Sequence, residues 1–267
     1  KNKMRGEFIL KFLIVGDVCG RPGREAFRKY VPELKKEHNI DVVVVNGENI
    51  AGGRGISRKT LDEIYRAGAD IVTSGNHIWD QKEIVSFIDD EPFLIRPANY
   101  PEGAPGKGYC IYPFKAKNIG VINVSGRTFM PPMDCPFQKV DEILKEIKNQ
   151  CDIILVDIHA EATSEKIAMG FYLDGKVTCV VGTHTHVQTA DNRILPKGTA
   201  YISDLGMVGP YNSSLGINVN NAIDKFITCR PVRFEMAEGP NIFSAVVLEL
   251  AEDNSVKSFE RILFNEE

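Results

Sequence analysis

The chain has 267 residues, of which 43% are hydrophobic and 25% are charged, and its formal net charge at neutral pH is −4. These fractions are those of an ordinary globular protein rather than of a disordered or fibrous one. The sequence has no long basic block, which argues against an extended nucleic-acid footprint, because clustered Lys and Arg residues supply most phosphate contacts.

Apolar runs alternate with charged, helix-periodic segments along most of the chain. The predicted strands of this part are residues 8–15, 41–46, 69–74, 151–157 and 176–181, and the predicted helices are residues 21–37, 57–68, 82–88 and 164–173. Ser57 is the expected N-cap of the second helix, and Gly68 is its expected stop. The strands are apolar throughout rather than alternating, so we expect both sheet faces to be buried under helices.

The middle and the end of the chain have a different pattern. Residues 108–126 predict two short strands joined by a turn, and residues 134–150 predict an amphipathic helix. The stretches RPVRFEMA, NIFSAVVLEL and VKSFERILF predict antiparallel strands. We therefore expect a single α/β domain over residues 1–267 with two sheets, in which residues 205–228, rich in Gly and Asn, form a small cap element.

The cysteines and the apolar runs bear on location. Six scattered cysteines include no CxxC pair, which predicts reduced thiols and a cytoplasmic protein. No apolar stretch approaches the roughly 20 residues of a membrane span, so we expect no membrane partner. The basic and then apolar start lacks a small-residue cleavage site and runs into Gly16 and Asp17, which favours a first strand over a signal peptide. The sequence leaves open whether the protein forms a homo-oligomer.

Five of the apolar runs end in a polar cluster. The clusters are GD at Asp17, GEN at Glu48 and Asn49, GNH at Asn76 and His77, DIHAE at His159, and GTHTH at His184 and His186. Ligands of α/β sheets bind outside the carboxyl ends of the strands, so these groups should meet in space. Each residue alone could be a turn, cap or packing residue, but five clusters in order favour a joint site.

The donor chemistry of these clusters predicts two metal ions. Asp, Glu, Asn and His suit Mn, Fe, Zn or Co, and their number exceeds the ligands of one catalytic zinc. Two ions bridged by a carboxylate and a water can clamp a phosphate ester and generate a hydroxide nucleophile at neutral pH.

The ordered pattern GD…GEN…GNH…H…GTHTH, over residues 16–186, resembles the calcineurin-like metallophosphoesterases. GENIAGGRGIS and SGNHIWD resemble their bacterial YmdB-type branch of cyclic-nucleotide phosphodiesterases. The resemblance implies a four-layer sandwich of two mixed β-sheets flanked by helices. It also implies two divalent metal ions, with Fe or Mn preferred over Zn, Mg or Co.

The resemblance assigns a role to each site residue. One metal would be bound by Asp17, Glu48, Asn49 and His186, the other by Glu48, Asn76, His159 and His184, and His77 would be the general acid. One position departs from the superfamily pattern, because Cys19 stands where a metal-binding His is usual. Asn49 is the expected substitute, although thiolate ligation by Cys19 stays open.

The implied activity is hydrolysis of small phosphodiesters, foremost 2′,3′- or 3′,5′-cyclic nucleotides, by a metal-bridging hydroxide. Arg21, Tyr211 and Asn212 are the expected substrate contacts. A phosphomonoesterase is one alternative, and a metal- or nucleotide-sensing regulator with little turnover is another, although a pure sensor has no need of His77. The glycines of GDVCGRPG leave a dinucleotide-binding Rossmann domain as a weaker alternative, because their spacing is not GxGxxG.

Overall fold

The computed structural model describes residues 9–266, which form two β-sheets, five α-helices and two short 3₁₀ helices. The elements are β1 (Leu10–Val15), β2 (Asp17–Val18), α1 (Gly20–His38), β3 (Val42–Asn46), α2 (Arg58–Arg66), β4 (Ile71–Thr73), 3₁₀ turns at Lys82–Ser86 and Ile88–Asp90, β5 (Tyr109–Phe114), β6 (Lys117–Ser125), α3 (Pro136–Ile147), β7 (Ile153–His159), α4 (Thr163–Leu173), β8 (Cys179–Thr183), β9 (Arg193–Ile194), β10 (Ala200–Ile202), β11 (Met207–Pro210), α5 (Val219–Thr228), β12 (Asn241–Leu250) and β13 (Val256–Asn265). The start of the predicted first strand at Phe8, and the rest of residues 1–8, lie outside the described residues, as does Glu267.

The first sheet has the order β2-β11-β12-β1-β3-β4, with β13 also paired to β12. Strands β1, β3 and β4 are parallel to one another, whereas β12 is antiparallel to both β1 and β13. A dinucleotide-binding Rossmann sheet has parallel neighbours on both sides of its first strand. The antiparallel β12 therefore rules out the Rossmann alternative for this fold.

The second sheet has the order β5-β6-β7-β8-β10-β9. Strands β6, β7, β8 and β10 are parallel, and the antiparallel strands β5 and β9 lie at the two edges. Parallel strands end at the same edge of a sheet, so the carboxyl ends of β7 and β8 lie side by side, with His159 paired to Thr183.

Three hydrophobic clusters separate four layers. The first joins helices α1 and α2 to the first sheet, the second lies between the two sheets, and the third joins the second sheet to α3 and α4. Neighbouring residues of one strand face different clusters: Leu13 faces α1, and Phe12 and Ile14 face the other sheet. This burial on both faces explains the continuous apolar strands, and it confirms the predicted sandwich of two mixed sheets flanked by helices.

The local signals in the sequence are confirmed at helix α2. The Ser57 hydroxyl accepts a hydrogen bond from the Thr60 backbone N–H, and the Thr60 hydroxyl accepts one from the Ser57 N–H. This reciprocal capping box satisfies N–H groups that have no partner inside the helix. Gly68, with a φ of 111°, ends the helix as predicted.

Three expectations differ from the structure. The stretch RPVRFEMA is not a strand; within it, only Met236 pairs, through an isolated bridge to Ile217. The helix predicted at residues 82–88 is a pair of 3₁₀ turns, because the backbone of Phe87, with φ −140° and ψ −12°, leaves the helical region between them. Of the predicted cap at residues 205–228, the stretch Met207–Pro210 is the buried strand β11 of the first sheet, so the cap hypothesis applies only to residues 211–228.

Among residues 9–266, none of the helices has both the length and the apolar composition that crossing a membrane would require.

Candidate metal centre

The predicted polar clusters meet where the carboxyl ends of both sheets converge. Asp17 lies on β2, Glu48 follows β3, His159 is the last residue of β7, and His184 follows β8. The side chains of Asp17, Glu48 and His159 are at most 1% exposed. Buried charges are costly unless they are paired or bind a cation, so this convergence points to a functional site.

One group of donor atoms belongs to Glu48, His159 and His184. One ligand atom from each lies within 4.8 Å of the others, a set that could hold a metal ion. His159 Nε2 is 3.2 Å from Glu48 Oε1, 3.1 Å from His184 Nδ1 and 3.0 Å from Asn76 Oδ1. The structure therefore brings together the four residues that the resemblance assigns to one metal.

A second group belongs to Asp17, Glu48 and His186, again with ligand atoms within 4.8 Å of one another. Asn49 adjoins it, with Nδ2 3.2 Å from His186 Nε2 and 3.0 Å from Glu48 Oε1. Ligation by the Asn49 carbonyl requires the amide to turn by 180°, so that Oδ1 takes the place of Nδ2. Glu48 is common to both groups, as a bridging carboxylate must be.

The hydrogen bonds of His159 fix which nitrogen carries its proton. Thr183 donates its hydroxyl hydrogen to Asp157 Oδ1 at 2.7 Å, so the Thr183 oxygen accepts from His159 Nδ1 at 2.9 Å. In a neutral imidazole protonated at Nδ1, Nε2 presents a lone pair. His159 Nε2 faces the carboxylate of Glu48 and the amide oxygen of Asn76, an arrangement that a cation between them would stabilise.

The other two histidines are oriented in the same way. The outer nitrogen of His184, Nε2, lies 3.1 Å from Glu161 Oε2, and the outer nitrogen of His186, Nδ1, donates to the backbone carbonyl of Leu215 at 3.1 Å. In each ring the inner nitrogen then faces the donor groups. Metal-binding histidines have this pattern, with the second ring nitrogen held by a carboxylate or a carbonyl.

Cys19 lies on the outer side of His186. Its Sγ is 3.6 Å from His186 Nδ1, whereas the ligand-side atom Nε2 faces Asp17 Oδ1 at 3.8 Å. The thiol therefore contacts the histidine rather than the carboxylate groups. This position gives no support to the alternative in which Cys19 is a ligand.

The electrostatics of the site call for positive charge. Burial raises the pKa of the Asp17 carboxyl well above its usual range, and it lowers the pKa of His184 to about 3. Asp17 Oδ1 has no hydrogen-bond partner within residues 9–266. A buried set of carboxylates and imidazoles, with an orphaned carboxylate oxygen, fits divalent cations.

His77 lines the same cavity without belonging to either donor group. Its Nδ1 is 2.9 Å from Asp80 Oδ2, and its backbone N–H donates to Glu48 Oε2 at 3.1 Å. The Asp80 carboxylate holds the ring with Nδ1 protonated, which leaves Nε2 for a substrate oxygen.

Position 75 requires glycine because its backbone lies very close to two of the donor side chains. A Cβ at this position would lie 2.3 Å from His159 Nε2 and 2.4 Å from Glu48 Oε2, both far inside contact distance. Any side chain here would displace two of the donor residues. The glycine of the GNH motif is therefore part of the candidate metal centre, although its side chain offers no donor atom.

A buried ion pair contacts the backbone of the GTHTH loop. It was not predicted from the sequence. Lys166 and Asp204 are 1% and 0% exposed, with Nζ and Oδ2 2.8 Å apart. Lys166 also donates to the Thr183 carbonyl, and Asp204 accepts from the Thr185 N–H, so the pair binds the backbone on both sides of His184.

Two signals could have identified this pair. Lys166 shares the buried stripe of α4 with Met169, Gly170 and Leu173, where a lysine is out of place. Asp204 follows the apolar strand β10, so it is a further polar residue at a strand end.

His184 and His186 have φ values of 103° and 64°, which non-glycine residues rarely adopt. Such backbone costs about 1–3 kcal/mol per residue, and it persists only where surrounding contacts impose it. The ion pair supplies contacts of this kind, and it thereby holds the His184 side chain towards the donor groups.

A cavity of about 260 Å³ opens beside the two donor groups. Its lining is Cys19, Glu48, Asn49, Gly53, Arg54, His77, Glu161, His184, Thr185, His186, Leu215, Ile217 and Met236. The predicted substrate contacts Arg21, Tyr211 and Asn212 are not in this lining. Arg21 bonds Glu25 on the surface of α1 instead, and the Tyr211 side chain is 47% exposed.

The cavity has other contact residues that sequence reasoning missed. Arg54, from the glycine-rich stretch AGGRG, is the arginine of the lining, and Leu215, Ile217 and Met236 are its apolar residues. The glycines on either side of Arg54 were the only signal in the sequence for an exposed loop here.

The four-layer fold, with two donor groups that share a carboxylate at the strand ends, defines the class as a metallophosphoesterase. The sequence model of the YmdB-like protein family matches residues 13–262. The chain belongs to this family.

Relatives of known name or structure agree with this assignment. The chain is 51% identical, over 97% of its length and 98% of the relative's, to a Bacillus subtilis (strain 168) protein named 2′,3′-cyclic-nucleotide 2′-phosphodiesterase. A crystal structure of a hypothetical protein from Thermus thermophilus superposes with a TM-score of 0.92 at 40% identity, covering 97% of this chain and 100% of that one. A crystal structure of a novel phosphatase from Mycoplasma pneumoniae also gives 0.92, at 35% identity, covering 98% and 95%.

Proposed function

We propose that the protein is a metal-dependent phosphodiesterase whose foremost substrates are 2′,3′-cyclic nucleotides. The observation that carries the proposal is the pair of donor groups that share Glu48, with three histidines turned inward by their outer hydrogen bonds. The Bacillus subtilis relative, named for this activity, supports the choice of substrate.

Each donor group would hold one divalent cation. Asp17, Glu48, Asn49 and His186 would hold one, and Glu48, Asn76, His159 and His184 would hold the other. The cations, when bound, supply Lewis acidity to the phosphoryl oxygens and to the water nucleophile. The oxygen and nitrogen donors suit Mn or Fe, with Zn, Co or Mg as further candidates.

The residues of the chain orient the substrate and move the proton. Water adds to phosphorus, the bond from phosphorus to the ribose oxygen breaks, and the leaving oxygen takes a proton. We assign that proton to His77 Nε2, because Asp80 holds the ring through Nδ1 and leaves Nε2 facing the cavity. If the ribose 2′ oxygen leaves, as the relative's name implies, the product is a nucleoside 3′-phosphate.

Two other activities stay in view. A 3′,5′-cyclic nucleotide presents the same kind of diester to the two donor groups. A phosphomonoesterase activity has specific support in the Mycoplasma pneumoniae structure described as a phosphatase. We also propose a cytoplasmic location, because all six cysteines are unpaired thiols in the described part of the chain.

Product analysis tests the proposal. Metal-loaded protein is incubated separately with 2′,3′-cyclic AMP, 3′,5′-cyclic AMP and adenosine 3′-phosphate, and the products are separated by chromatography. We expect 2′,3′-cyclic AMP to give adenosine 3′-phosphate with the highest kcat/KM. Release of adenosine and phosphate as the fastest reaction would replace the diesterase with a monoesterase.

A further inference from the structure

The cavity beside the donor groups has two chemically different sides. The strand ends contribute the carboxylates and imidazoles that face the reacting phosphate. Residues 211–237, called here the flanking segment, contribute only Leu215, Ile217 and Met236 to the lining. An apolar surface beside a charged metal centre does not help bind a phosphate, so it needs another explanation.

The apolar side is fixed relative to the metal side. The Leu215 carbonyl accepts the hydrogen bond from His186 Nδ1, and Leu215 has a φ of 55°, which leucine adopts only under constraint. Ile217 and Met236 pair across an antiparallel bridge. The Met236 sulfur lies so near Gly53 that a Cβ there would be 2.6 Å from it. The apolar side chains therefore stand at a set distance from the donor groups.

We infer that Leu215, Ile217 and Met236, together with Arg54, form the subsite that holds the nucleobase of the substrate. The inference rests on the proposed phosphodiesterase function. With the phosphate at the donor groups, the rest of a cyclic nucleotide has to occupy the remaining lining of the cavity. Apart from the donor residues, Cys19 and His77, that lining consists of this apolar side, Gly53, Thr185, the exposed Arg54, and Glu161, which contacts His184.

The chemistry of the subsite matches the face of a base rather than its edge. Apolar side chains contact the ring face, and a planar guanidinium stacks on it. Recognition of one base over another needs donors and acceptors aimed at the base edge. Within the flanking segment, the lining side chains have none. The volume of about 260 Å³ lies just below the ~300–1,000 Å³ typical of ligand pockets, which favours a mononucleotide.

The subsite therefore makes the enzyme tolerant of the base but dependent on its presence. We expect kcat/KM for the 2′,3′-cyclic forms of AMP, GMP, CMP and UMP to agree within about tenfold, since no lining side chain of the flanking segment can hydrogen-bond the edge of a base. Ethylene phosphate, a cyclic diester with no base, should be a much poorer substrate than any of them.

The test compares Leu215→Ala with Ile223→Ala. Both side chains are apolar and 47% exposed, both lie in the flanking segment, and only Leu215 lines the cavity. The alanine at 215 keeps the backbone carbonyl that orients His186. For each protein, kcat/KM is measured with 2′,3′-cyclic AMP and with ethylene phosphate, and calorimetry gives the affinities of the metal-loaded protein for adenosine 3′-phosphate and for inorganic phosphate.

We expect Leu215→Ala to lower the ratio of the two kcat/KM values about tenfold, and to lower the preference for adenosine 3′-phosphate over phosphate by a similar factor. Ile223→Ala should leave both ratios as in the natural protein. The subsite is wrong if Leu215→Ala leaves both ratios unchanged, or if Ile223→Ala changes them equally.

The calorimetric measurement separates this inference from the proposed function. If no diester is hydrolysed but the preference for the nucleotide persists and depends on Leu215, the function fails and the subsite stands. If the natural protein binds adenosine 3′-phosphate no more tightly than phosphate, the subsite is overturned whatever the protein hydrolyses.

Discussion

The two sides of the cavity are built in opposite ways. On the strand-end side, Asp17, Glu48 and His159 are at most 1% exposed, and they belong to or directly follow strands paired inside the two sheets. On the flanking segment, Leu215 is 47% exposed, and helix α5 buries only Ala222 while Phe226 is 80% exposed. Asp17, Glu48 and His159 cannot shift without disturbing a sheet, whereas the flanking segment has few buried contacts to lose.

This difference assigns separate tasks to the two sides. Metal binding needs donor atoms held within a few tenths of an ångström, which sheet edges and second hydrogen bonds provide. Substrate choice can be adjusted by side chains whose replacement leaves the core intact. Substitutions on the strand-end side should therefore affect catalysis strongly, and substitutions on the flanking segment should affect selectivity.

The largest effect is expected from Glu48→Gln. Glutamine keeps the shape but cannot bridge two cations, so the Lewis acidity that they supply, worth several kcal/mol, is lost. We predict a fall in kcat/KM on the order of 10⁴-fold, with reduced metal content by elemental analysis. Glu83→Gln, on the exposed 3₁₀ turn, is the matched control and should retain activity. Full metal content in Glu48→Gln would show that Glu48 does not bridge two cations.

His77→Gln separates catalysis from metal binding on the same side of the cavity. His77 belongs to neither donor group, so metal content should stay unchanged, while kcat falls about a hundred- to thousandfold through loss of the proton donor. Asp80→Asn, which weakens only the orienting bond to Nδ1, should have a smaller effect. Loss of metal from His77→Gln would mean that the residue is a ligand.

The double variant Lys166→Met with Asp204→Leu removes the buried ion pair. It tests whether metal binding on the strand-end side depends on the backbone contacts that orient His184. Breaking a buried pair by one substitution costs about 3–5 kcal/mol, but replacing both charges by apolar groups is often neutral. We predict a thermal midpoint near that of the natural protein for the double variant, with metal affinity lowered about 10–100-fold because the His184 backbone loses its anchors. Unchanged metal affinity would reduce the pair to a packing role.

Cys19→Ala should have the smallest effect. The thiol contacts His186 Nδ1 rather than the carboxylates, so metal stoichiometry should be unchanged and kcat/KM should fall by less than about fivefold. Loss of one metal equivalent from the alanine variant would instead make Cys19 a ligand in the place of the superfamily's histidine.

The sequence predicted the strand-end side better than the flanking segment, for a physical reason. Asp17, Glu48, His159 and His184 could be located because apolar strands are recognisable and their ends coincide in a parallel sheet. For Tyr211 and Asn212, the sequence offers only the Gly- and Asn-rich composition of their segment and its place after an apolar strand. Which residues of an irregular segment face a cavity depends on backbone such as the positive φ of Leu215, and local sequence does not encode that.

The contacts that orient the donor residues could not be predicted from the sequence motifs either. The ion pair of Lys166 and Asp204 joins residues 38 positions apart, so it becomes visible only when α4 is laid against β8 and β10. The same holds for the Leu215 carbonyl at His186. The motifs indicate which types of residue act as ligands, but the hydrogen bonds that orient these residues depend on tertiary packing.

We propose that the two donor groups sharing Glu48 hold two divalent ions and that hydrolysis requires both. The most direct measurement is a titration of chelator-treated protein with Mn²⁺, following bound metal and hydrolysis of 2′,3′-cyclic AMP in the same samples. We predict that two equivalents bind per chain and that turnover returns as the second site fills. No metal uptake, or full turnover in the chelator-treated protein, would contradict the account.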